Sequence, residues 1–113
     1  MAKKQPIYRI MKQYGKVWVV ETPGLLYEIP YENGTVRVGL VWLNNHWFAT
    51  HYESGLDCTP ASNKYREHNW RDKELLLDTL KDLDWDLYLS RVHKYVEIVN
   101  KYKEEKQHAE MGR

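Results

Sequence analysis

Phe48, His51 and Tyr52 stand in the most aromatic stretch of the chain, Trp47-Phe48-Ala49-Thr50-His51-Tyr52-Glu53-Ser54-Gly55-Leu56. Lys64, Arg66, His68 and Arg71 follow in the next segment. Rings of this kind stack on a planar base, and Arg presents paired donors to a phosphate. An aromatic wall followed by a basic loop is therefore the combination that a nucleotide-like ligand needs. The competing reading is structural: a sheet whose two faces are both covered uses the same aromatics as packing.

Catalytic sets are thin. Cys58 with His51 or His68 is the only conceivable thiol–histidine pair, and Asp57 beside Cys58 would raise a thiol pKa rather than lower it. GxSxG, HExxH and Walker-type loops are missing from the sequence. No catalytic residue is assigned, and a small Cys/His enzyme ranks third among the functional readings. Metal ligation is equally weak. His46 and His51 are five apart on one strand and face opposite sides. Asp82, Asp84 and Asp86 mimic the start of a calcium loop, but Leu87 stands where the loop needs Gly and His93 where it needs Glu. No metal and no cofactor is expected.

The composition narrows the class further. The 113 residues suit one domain, 1–113. Seventeen Lys and Arg nearly cancel sixteen Asp and Glu. Residues 1–56 hold six cations against four acids, and residues 71–90 hold three against six. Phosphate neutralisation would be modest, which disfavours duplex nucleic acid as a partner. A single cysteine rules out an internal disulfide framework. No apolar run approaches a membrane span, and Met1-Ala2-Lys3-Lys4-Gln5-Pro6 is not followed by an apolar signal core. The expected setting is cytoplasmic, with no membrane partner.

The elements that position these residues change character near residue 56. Turn signals at Tyr14-Gly15, Thr22-Pro23-Gly24, Asn33-Gly34 and Asn44-Asn45 separate runs at 7–13, 16–21, 25–32, 35–43 and 46–53. Loops this short force antiparallel neighbours, so residues 1–56 read as a five-stranded antiparallel meander. Pro30 marks a weakened strand or a bulge. Residues 57–70 read as a loop with room for a short helix around 62–68. From Arg71 the period becomes helical. Asn69 or Asp72 can cap a first helix carrying Leu76, Leu80 and Leu83 on one face. A second helix starts near Asp84 and carries Trp85, Tyr88, Val92, Tyr95, Val99 and Tyr102 in steps of three and four. Run to His108 it would measure ~36 Å, longer than a sheet of ~20–30 Å. An overhanging apolar stripe predicts a homodimer or higher homo-oligomer, or a partner protein. The fold class is thus α+β, with two C-terminal helices spanning 71–108, the second long, and a polar tail at 109–113.

This architecture resembles the phage anti-Thoeris proteins, which sequester a cyclic ADP-ribose immune signal. The segments from Trp47 to Leu56 and from Lys64 to Glu67 are also similar to that family. The resemblance implies a non-catalytic sponge: a homodimer holding a small cyclic nucleotide between protomers, near the C-terminal helix. That placement adds Lys106 and Arg113 to the candidate ligand-binding residues Phe48, His51, Tyr52, Lys64, Arg66, His68 and Arg71. The alternative is a protein–protein inhibitor or adaptor, similar in kind to anti-CRISPR proteins, acting through its long helix or a sheet edge.

Overall fold

The computed structural model describes residues 4–60 and 70–111. Four strands form one antiparallel sheet in the order β1 (Lys4–Gln13), β2 (Lys16–Tyr31), β3 (Gly34–Leu43) and β4 (His46–His51). Three helices follow: α1 (Lys73–Leu80), α2 (Trp85–Leu89) and α3 (His93–Met111). The α+β class and the antiparallel meander followed by helices are as the sequence predicts. The strand count is not, because four strands replace five.

The correction falls at Thr22-Pro23-Gly24, where a turn was expected and β2 runs straight through. Its first part, as far as Leu25, pairs with β1, and its last part, from Leu25, pairs with β3. Pro23 lies directly opposite Pro6. Neither has an N–H, so this pair must be one that exchanges no ladder bonds. Gly24 is there for close approach. A Cβ at this position would lie 2.5 Å from the Leu40 carbonyl and 2.8 Å from Ile7. Beyond Leu25 the strand pairs only with β3 among the described residues, and Pro30 is tolerated on such an edge.

The hairpins are tight. Tyr14 and Gly15, and likewise Asn44 and Asn45, take positive φ, as two-residue loops of the type I′ kind require. At the middle hairpin the turn sits one residue earlier than Asn33-Gly34 predicts. Tyr31 pairs with Gly34, and Glu32 and Asn33 form the loop. The Asn33 amide donates to Asp86 of α2 at 2.5 Å, which ties this turn to the helices.

The sheet coils strongly. Ile7 is fully buried, and a Cβ at Gly39 would lie 2.6 Å from it. Two glycines on neighbouring strands thus let a β1 side chain lie on the β3 backbone. The free edge of β1 then meets the segment after β4, where the Ile10 N–H donates to the Gly55 carbonyl at 2.8 Å. Residues 56–58 turn back along β4 through Cys58 N–H to Ala49 O and His51 N–H to Leu56 O, both 2.9 Å.

The main core lies on the opposite sheet face from Ile7. Ile29, Val36, Val38, Leu40 and Ala49 meet Leu76, Leu80 and Trp85 there. Asp72 caps α1 by accepting from the Glu74 and Leu75 N–H groups, and Asp84 caps α2. The Trp85 indole N–H donates to Leu80 O at 2.8 Å, which joins the two helices.

The single long second helix is also corrected. It breaks after Leu89, where Ser90 Oγ donates to Leu87 O at 2.6 Å. Arg91 N–H turns back to Tyr88 O at 3.0 Å, and helix resumes at His93. The break divides the predicted stripe between two jobs. Trp85 enters the main core, while Val92 and Val99 are buried and Tyr102 reaches β1 and β2. With 19 residues α3 measures about 28 Å. On the predicted stripe the chain itself covers Val92 and Val99, while Tyr95 and Tyr102 stay half-exposed.

Candidate functional site

The second half of α3 lies across β1 and β2, and the two surfaces enclose an aromatic and cationic cleft. Tyr8 and Glu21 sit opposite each other in the β1–β2 register and so share a sheet face. Tyr102 packs edge-on against Tyr8, with centroids 5.9 Å apart, and its hydroxyl donates to Glu21 Oε1 at 3.4 Å. Lys103 extends between two rings, 4.7 Å from the Tyr8 centroid and 5.0 Å from that of Tyr52. Lys106, one turn after Tyr102, donates to Glu21. Spacings of three and four residues place Tyr102, Lys103 and Lys106 on neighbouring faces of one helix.

Two hollows flank this cluster. One, of about 260 Å³, is lined by Tyr8, Lys103, Lys106 and Gln107. The other, of about 300 Å³, lies between Lys4–Pro6 and Glu21–Pro23. Burial, reinforced by the Glu21 carboxylate, pushes the Tyr8 phenol above its ordinary value, so it stays neutral. The bond to Glu21 holds the Lys106 ammonium above its own. The cleft thus presents neutral rings beside two ammonium groups, one of them paired with the Glu21 carboxylate.

Of the residues assigned from sequence, Tyr52 and Lys106 meet in this region, linked through Lys103. Phe48 and His51 do not join them. Being three apart on β4 they face opposite sides of the sheet. Phe48 packs beside His46 at 4.4 Å. Arg71 is exposed beside the opposite end of β4, where Trp70 O accepts from Trp47 N–H. Trp47 and Tyr52 are separated by roughly 16 Å of strand at 3.2–3.4 Å per residue. The described residues therefore do not bring Phe48, His51 and Arg71 together. Lys64, Arg66, His68 and Arg113 lie outside the described residues.

His51 is held in a local hydrogen-bonded turn. Its Nδ1 accepts from the Ser54 hydroxyl at 2.8 Å and from the Ser54 N–H at 3.3 Å, which leaves the proton on Nε2, 3.4 Å from Glu53 Oε1. Serine, histidine and carboxylate in line resemble a hydrolytic set. Ser54 is wholly buried, however, and its Oγ also accepts from Leu56 N–H. The three residues lock the turn that delivers Gly55 to β1. Burial lowers the His51 pKa, against the opposing pull of Glu53. Cys58 belongs to the main core, and burial together with Asp57 pushes its thiol well above the ordinary range. A thiol held protonated is a poor nucleophile. Among the described residues no three metal-ligating side chains converge.

Sequence reasoning missed Tyr8, Glu21, Tyr102 and Lys103 as site residues. The signal available was the end of the helical stripe. After Val99 and Tyr102 the next position on that face is a lysine, which marks where α3 leaves the apolar core for a polar cleft. No family model, no curated protein and no solved structure matches the chain.

Proposed function

We propose that this protein is a non-catalytic binding protein that sequesters a small nucleotide signal in the cleft between α3 and the β1–β2 hairpin. The observation that carries the reading is Lys103 between the Tyr8 and Tyr52 rings, with Lys106 in the same hollow. The Tyr8 ring offers stacking area to a base once Lys103 swings from it toward the phosphates, and two ammonium groups offer charge to a pyrophosphate. The resemblance to anti-Thoeris sponges specifies the ligand class as a cyclic ADP-ribose and the biological role as phage anti-defence. Sequestration requires tight binding and no bond chemistry, so it needs only a preformed cleft. In the dimeric form of this reading, a second copy closes the cleft over the exposed end of α3.

The test is a thermal-shift screen of cyclic ADP-ribose isomers and linear nucleotides. A ligand at 100 times its Kd stabilises by ~2.7 kcal/mol, which raises Tm by several degrees. Lys103→Ala should abolish the shift while leaving the unliganded Tm within a few degrees of wild type. No shift with any nucleotide would overturn the proposal and favour a protein partner instead.

A further inference from the structure

The ion pair between Glu21 and Lys106 stands between the two hollows beside α3. Glu21 lines one hollow and Lys106 the other. Each hollow alone is at or below the small end of ligand pockets, which run ~300–1,000 Å³. Joined, the two fall well inside that range. Glu21 accepts from both Lys106 and the Tyr102 hydroxyl, so one carboxylate fills the position beside the helix that an anion would take. Its side chain is 25% exposed and that of Lys106 is 42% exposed, so the pair is accessible to a competing anion.

We propose that Glu21 is the chain's own occupant of an anion seat formed by Lys106 and the Tyr102 hydroxyl, with Lys103 in the adjoining hollow, and that a diphosphate displaces it and joins the two hollows. The inference rests on the nucleotide-binding reading above and deepens it, by naming the group that the ligand must replace. An exposed ion pair is a weak competitor, whereas a diphosphate engages both ammonium groups at once. Single carboxylates gain nothing by the exchange, so the displaced Glu21 also acts as a filter for multiply charged ligands. Lys4, in the second hollow, is placed to meet the remainder of such a ligand.

The experiment is isothermal titration of the full chain with inorganic pyrophosphate, comparing wild type, Glu21→Gln, and Glu21→Gln combined with Lys106→Met. The expected result is about fivefold tighter binding by Glu21→Gln, the factor set by removing one exposed pair, with the gain lost in the double variant. Glu21→Ala should reproduce the gain and serves if Glu21→Gln does not fold. Equal or weaker binding in both single variants overturns the inference, as does a gain that survives without Lys106. ADP-ribose and cyclic ADP-ribose, titrated in parallel, separate the two proposals. If pyrophosphate behaves as stated but neither ADP-ribose nor cyclic ADP-ribose binds tighter, the anion seat stands and the nucleotide reading fails. If ADP-ribose binds wild type well and Glu21→Gln no better, the nucleotide reading stands and the seat fails.

Discussion

The two helical layers lie on one sheet and use aromatic residues in opposite ways. Under α1 and α2, Trp85 is 1% exposed and its indole N–H is satisfied by Leu80 O, so the ring is wholly committed to the core. Under α3, Tyr8, Tyr52 and Tyr102 remain half-buried, with lysines above and beside them. The α1–α2 layer closes over a mainly aliphatic centre, with Tyr27, Tyr31 and Trp47 at its margin. The α3 layer stands on Tyr8 and Glu21, whose polar atoms keep that end accessible to water. A closed apolar interface confers stability, and a half-open one with fixed charges leaves room for a ligand.

Substitutions should separate the two layers by size of effect. Trp85→Ala removes the largest buried side chain and should cost ~3–5 kcal/mol, seen in thermal melts as a Tm fall of about 15 °C. Gly55→Ala comes next. Gly55 has φ of +73°, and an added Cβ would lie 2.8 Å from the Tyr8 carbonyl. A loss of about 2–3 kcal/mol in urea melts is expected from that strain. Tyr102→Ala should cost only ~1–2 kcal/mol, since the ring is half-buried, yet should remove ligand binding. Were Tyr102→Ala as destabilising as Trp85→Ala, the distinction between the layers would collapse.

A smaller effect comes from His51. Its folded pKa lies below the ordinary value of 6.5, so the folded state binds fewer protons than the unfolded chain near that pH. The stability it contributes is complete above pH 6.5 and is lost as pH falls through the lowered folded value. Tm measured from pH 8 to pH 5 should fall on the acid side, and His51→Gln should flatten that part of the curve. The turn at Ser54 and Gly55 is the structure at risk, because protonated Nδ1 can no longer accept from Ser54.

The alternation of Val36, Val38, Leu40 and Trp42 made β3 legible in the sequence, and Asp72 and Asp84 made both helix starts legible. Thr22-Pro23-Gly24 misled because a proline and a glycine that serve close strand packing look the same in sequence as those that serve a turn. Deciding between them requires Pro6 and Leu40, which are distant in sequence. Ser90 gave no warning of the helix break, since the apolar stripe continues in phase across it. The candidate site was half legible. Tyr52 and Lys106 were named, but the rings and carboxylate that complete the cleft come from β1 and β2, whose register against α3 is a tertiary property.

The most direct test of the α3 cleft is an amide-resolved NMR titration with cyclic ADP-ribose. Saturable shifts concentrated at Tyr8, Glu21, Tyr52 and residues 102–107, with the Trp85 region unmoved, are the predicted result. Shifts centred on Phe48 and Arg71, or no shifts at all, would contradict it.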